Sequence, residues 1–148
     1  MDLLRGIENR EHAMLDSEQQ VRCHFALWVR RLSDSGEFYE HVLGWEPAFS
    51  DDASAHLYSD GNHLVLHQAD DTACWHPHGA EPTGAPLPHL GMIVSAKRFR
   101  EIHTNAEQAS TIIYPSAVRR QGTKYEHSVF FVSDPNEIPW EVKHYHQS

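Results

Sequence analysis

Four side chains of this sequence combine the right chemistry with suggestive spacing: His24, His67, His89 and Glu141. Glu141 lies in VFFVSDPNEIPWEVKH, residues 129–144, which reads as a strand, a tight turn and a second strand. Side chains of a strand alternate between its faces, so Glu141 points away from Trp140 and Val142. A carboxylate held there is either a solvated outer-face residue or a ligand. The first half of the chain carries a matching stretch: DGNHLVLHQ, residues 60–68, parallels DPNEIPWEV, residues 134–142, and sets His67 where the second copy has Glu141. Upstream, CHFALWV (23–29) matches PHLGMIV (88–94) and aligns His24 with His89. Two imidazoles and one carboxylate with open coordination positions form the facial set suited to non-haem Fe(II). His24, His89 and Glu141 supply that set. If His67 also binds, the site is more closed and suits Lewis-acid or proton-transfer chemistry with Zn, Ni or Co.

The elements that must position these residues follow from the repeat. Each copy reads β-α-β-β-β. In the first, strands are expected at about residues 21–29, 45–49, 55–59 and 63–68, with a helix capped by Ser33 or Asp34 and stopped at Gly44. The second has strands at His89–Val94, 111–114, 126–132 and 138–145 and a helix over 96–106; Pro115 is expected to break or bend its strand. In all four ligand-bearing strands the candidate ligand is on the less apolar face. The apolar faces would then pack under outer helices, and the ligand faces would line one concave surface built from both sheets. The expected architecture is α+β, two tandem βαβββ modules forming a cupped, barrel-like mixed sheet around a metal site. Module one spans 21–68, a Pro- and Gly-rich linker 69–87, and module two 88–148, after an N-terminal arm of residues 1–20. Trp75-His76-Pro77-His78 in the linker has too few further ligands to specify a metal site, and its histidines are read as solvated. His103 is read as a helix-flank residue, and Arg119, Arg120 and Lys124 as a solvated basic loop that could attract an anion.

The 148 residues are one domain's worth of chain, 40% hydrophobic and 22% charged. A net charge of -9 argues against nucleic acid, whose phosphates call for clustered Lys and Arg. No apolar run is long enough for a membrane helix, and the first residues lack a secretory pattern. Two cysteines, Cys23 and Cys74, fit a reducing cytoplasm. The expected partner is a small molecule, and the modules can close a cup within one chain or across a homodimer.

CHFALWV, FYEHVLG, GNHLVLH, PHLGMIV and FFVSDPNEIPWEVK together resemble the vicinal oxygen chelate superfamily, which includes glyoxalase I, bleomycin-resistance proteins and type I extradiol dioxygenases. The resemblance covers about Val21 to Tyr145. It implies paired βαβββ modules, a divalent metal in the cup between them, and His24, His89 and Glu141 as ligands, with His67 at the position of the extra first-module ligand of glyoxalase-type members. An extradiol-type dioxygenase with Fe(II) is the leading expectation, Mn, Zn or Ni being the other metals. Tyr125 and His127 are its acid–base candidates, a neutral imidazole being suited to proton transfer near pH 7. A glyoxalase-like isomerase or lyase, and a metal-free binder of the bleomycin-resistance kind, are the alternatives. The chain departs from the usual Asp-Pro-x-Gly-Asn before the last strand: it has Asp134-Pro135-Asn136-Glu137-Ile138, followed by Pro139, which removes a backbone donor and is expected at an edge or a bulge.

Overall fold

A computed structural model describes residues 21–69, 79–80 and 84–146. The N-terminal arm, His76 and His78 lie outside the described residues. The chain divides into two compact units between residues 74 and 75, with residues 41–43 grouping with the second.

The first unit runs β1 (His24–Val29), α1 (Leu32–Glu37), β2 (Glu46–Ser50), β3 (Ser54–Ser59) and β4 (Asn62–Gln68). Its sheet has the order β1-β4-β3-β2, with β1 parallel to β4 and the other pairs antiparallel. Asp60 and Gly61, with φ of 48° and 82°, make a two-residue turn between β3 and β4. Both central residues at positive φ give the twist that a tight hairpin needs. Leu57, Leu64, Leu66 and Val29 are buried, and α1 lies against β3 and β4.

The expected cap of this helix is corrected by the structure. Neither Ser33 nor Asp34 caps α1: Arg31 stands at the cap without a side-chain bond, and Asp34 instead pairs with the Arg31 guanidinium at 2.9 Å. Gln68, at the end of β4, does the capping: its Oε1 accepts the Leu32 N–H at 3.1 Å and its Nε2 donates to the Arg30 carbonyl. An orphan amide of a helix start is satisfied equally well by a distant side chain. Beyond Glu37 the helix widens into a π turn, Phe38–Val42, that buries Tyr39 and Val42, and the chain leaves through Gly44 at φ 74°.

The second unit runs β5 (Gly79–Ala80), β6 (Pro86–Leu87), β7 (Leu90–Ile93), α2 (Ala96–Gln108), β8 (Ile112–Arg119), β9 (His127–Ser133) and β10 (Pro139–Tyr145). The short β5 and β6 pair with each other, and the main sheet has the order β7-β10-β9-β8, again with first and last strands parallel. Ser95 caps α2 by accepting the Arg98 N–H at 3.2 Å. Phe99, Ile102 and Ala106 form its buried stripe, Phe99 packing edge-on against Phe130 with centroids 5.0 Å apart. His103 sits on the same ring at 4.9 Å, a helix-flank position as expected.

The two prolines act according to their place in the sheet. Of the two expectations for Pro115, a bend holds and a break does not: β8 is an edge strand that continues through it, and its ladder to β9 shifts register between Tyr114 and Ala117. Pro139 is the first residue of β10, which is a central strand with unbroken pairing to β9. There the missing N–H costs the ladder little.

Phe130 is fully buried, whereas Ile113 in the same sheet is half exposed. Phe130→Ala is expected to cost about 3–5 kcal/mol and Ile113→Ala within about 0.5 kcal/mol, read from urea unfolding midpoints at constant slope.

Candidate functional site

The parallel pairing of first and last strands places the candidate ligands within each unit. In the second, Glu141 pairs with Gly91, two residues beyond His89 on the same face of β7. The Glu141 Oε2 stands 3.6 Å from His89 Nε2, and both side chains are largely buried. The Pro86 carbonyl accepts a 2.7 Å hydrogen bond at His89 Nδ1, so that nitrogen carries the proton and Nε2 presents its lone pair. Two ligands each about 2.1 Å from one ion lie about 3–3.4 Å apart, so this imidazole and carboxylate fit two neighbouring corners of a divalent metal's shell. The floor beneath them is aromatic: His89 meets Phe131 edge-on at 5.0 Å, and Phe131 meets Tyr114 at 5.9 Å.

A cation already faces this pair. Lys143 Nζ lies 3.2 Å from Glu141 Oε2 with a mostly buried side chain. The spacing i to i+2 on one strand puts both on one face, a signal present in the sequence but passed over.

In the first unit His24 pairs across the ladder with His63, and His67 with Trp28. His24 Nδ1 and His63 Nδ1 are 3.0 Å apart, and His63 Nε2 is 3.0 Å from His56 Nδ1. His63 also stacks flat on Tyr58, centroids 4.5 Å apart. Because both its nitrogens are engaged by neighbouring imidazoles, this trio is a hydrogen-bonded chain and not a coordination shell. His67 packs against the Trp28 ring at 5.7 Å. His67 and Glu141, equivalent in sequence, are therefore not equivalent in the ladders: one lies opposite the position four beyond the leading histidine, the other two beyond. The connections differ in the same way. Two residues join β3 to β4, but five join β9 to β10, where the buried Asp134 carboxylate accepts the N–H groups of Asn136 and Ile138 at 2.8 Å each.

Tyr125 and His127 stand apart from Glu141. His127 pairs with Tyr145, four residues along β10 from Glu141, or about 13 Å at strand rise. The His127 ring is buried, its Nδ1 donating to the Tyr125 carbonyl at 2.8 Å, and the Tyr125 ring lies exposed under Lys124. Among the described residues no group of three His, Cys, Asp or Glu side chains is arranged to hold one ion, and no described helix is long and apolar enough to cross a membrane.

Two mixed four-stranded sheets, each with its first and last strands parallel, are an arrangement shared with known proteins. Residues 23–142 match the model of the Glyoxalase/Bleomycin resistance protein/Dioxygenase superfamily. The chain belongs to that superfamily. No curated protein sequence matches it. Among solved structures, it resembles a glyoxalase/bleomycin resistance protein/dioxygenase from Alicyclobacillus acidocaldarius, with TM-score 0.69 and 24% identity over 90% of this chain and 96% of that one. A genomically encoded fosfomycin resistance protein from Listeria monocytogenes gives TM-score 0.62 and 14% identity over 84% and 93%. A lactoylglutathione lyase from Agrobacterium tumefaciens gives 0.56 and 16% over 86% and 96%. At these identities the likeness carries the superfamily fold.

Burial, with the His24 and His56 imidazoles beside it, lowers the His63 pKa from its ordinary 6.5 to about 4. The unfolded chain therefore takes up this proton before the folded one does. Stability contributed by neutral His63 is present above about pH 6.5 and is lost as pH falls toward about 4. Urea midpoints are expected to fall across that window, and to fall less steeply in His63→Phe.

Proposed function

We propose that the protein is a divalent-metal enzyme acting on a small oxygen-rich substrate, with His24, His89 and Glu141 as ligands and ring cleavage of the extradiol type as its reaction. The observation that carries this is the His89–Glu141 pair: a 3.6 Å gap between an imidazole lone pair and a carboxylate oxygen, the imidazole held in its ligand tautomer by the Pro86 carbonyl. Two imidazoles and a carboxylate favour Fe(II), with Mn, Zn and Ni as alternatives. When bound, the metal supplies charge that polarises chelating substrate oxygens and lowers their proton affinity. The chain's own residues supply the rest. Phe131 and Tyr114 give the site of module two an apolar floor on which a planar substrate can lie and from which water is excluded. His67, held on Trp28, is left outside the ligand set, which argues against the four-ligand isomerase reading. No proton-transfer role is assigned to Tyr125 or His127, given their distance from Glu141. Metal analysis of protein purified without chelator is expected to give near-stoichiometric Fe or Mn, lost in His24→Ala, His89→Ala and Glu141→Ala and kept in His67→Ala. Absence of metal from the wild type, even after anaerobic Fe(II) addition, would overturn the proposal.

One observation favours a second reading, a metal-free small-molecule binder: the Lys143 ammonium already neutralises Glu141. The two readings predict opposite behaviour of Lys143→Met. If a metal belongs there, removal of a like charge beside it is expected to tighten Co(II) binding several-fold, measured by titration calorimetry; if the ammonium is the resident cation, the variant gains no metal affinity and loses stability.

A further inference from the structure

The imidazole chain of the first unit does not end at His56. His56 Nε2 lies 3.5 Å from Ser54 Oγ, and Ser54 Oγ lies 3.2 Å from Asp51 Oδ1. Asp51 also accepts the backbone N–H groups of Ala53 at 2.8 Å and Ser54 at 2.7 Å. A continuous row of polar contacts thus joins His24, His63, His56, Ser54 and Asp51 across β1, β4 and β3.

The row has a direction because one end can only accept. An ionised carboxylate has no proton to give, and the three donors on Asp51 favour its ionised form. Ser54 therefore donates its hydroxyl proton to Asp51 and offers its lone pairs to His56. His56 then carries its proton on Nε2, which leaves Nδ1 bare to accept from His63 Nε2–H. A neutral imidazole has one N–H, so His63 Nδ1 is bare and accepts from His24 Nδ1–H. His24 is left with its lone pair on Nε2. Flipping the tautomer of any one of the three rings would set two protons or two lone pairs face to face at 3.0 Å.

We propose that Asp51, Ser54, His56 and His63 form a positioning relay that fixes His24 as the Nδ1–H tautomer, keeping its Nε2 lone pair ready for a metal; the proposal rests on the reading of His24 as a ligand. The relay does in the first unit what the Pro86 carbonyl does for His89 in the second, but through side chains. It also gives His63 and His56 a task that their types alone do not specify.

The test is the tautomer of His24 in the metal-free full-length chain, read by long-range ¹H–¹⁵N correlation NMR, in the wild type and two variants. Phe at position 56 keeps a ring but removes the acceptor for His63, whereas Asn keeps an acceptor oxygen near the place of Nδ1. The wild type is expected to show His24 as a single Nδ1–H tautomer, His56→Phe a mixture, and His56→Asn the wild-type state. Co(II) affinity, followed by titration of its visible absorption, is expected to fall about tenfold in His56→Phe and to recover in His56→Asn. His24 carrying its proton on Nε2 in the wild type, or a tautomer indifferent to His56→Phe, would overturn the relay whatever the metal does. Unchanged Co(II) binding in His24→Ala, with the tautomer still fixed, would instead overturn the reading of His24 as a ligand and leave the relay standing.

Discussion

Everything at the candidate site depends on one pairing, the parallel ladder between the first and last strands of each unit. In a parallel ladder, partnered residues face the same way, so a histidine near the start of one strand is brought beside whatever the chain has placed at the matching point of another strand some 40–50 residues away. In the first unit that pairing sets His24 against His63, and in the second it brings Glu141 within reach of His89. The opposite faces are committed to packing: Leu64 and Leu66 in one sheet, Trp140 and Val142 in the other, are buried almost completely. A one-residue slip would expose those side chains and bury the polar ones, so the apolar faces specify the register of the site.

The two units use the pairing differently. The tight Asp60–Gly61 turn feeds β4 into its ladder so that two imidazoles meet, and polar side chains of β3 extend the contact. The longer connection around Asp134 feeds β10 in with a carboxylate near the leading histidine and a lysine next along the same face. The result is a row of imidazoles in one sheet and, in the other, the imidazole of His89 beside the ion pair of Glu141 and Lys143.

Much of this was legible in the sequence because alternation and repetition are strong signals. The βαβββ order, the helix stripe of Phe99, Ile102 and Ala106, and the superfamily were all readable from the sequence. What escaped was register. Aligning Asp60 with Asp134 makes His67 the partner of Glu141 in sequence, but turn geometry, which no period-two pattern encodes, offsets the ladders by two residues. His63 was overlooked for the same reason, since its meaning comes only from lying opposite His24. Gln68 capping α1 is another long-range contact that no local capping signal announces. Pro139 misled in the other direction: the cost of a proline depends on whether the strand is an edge or the residue is its first, and neither fact is local.

The most direct test of the central claim is an anomalous-difference map of crystals grown with Co(II). The account predicts one strong peak bonded to Nε2 of His24, Nε2 of His89 and the Glu141 carboxylate, with Lys143 turned away from Glu141. No peak there, with the Lys143 ammonium still on Glu141, would contradict it.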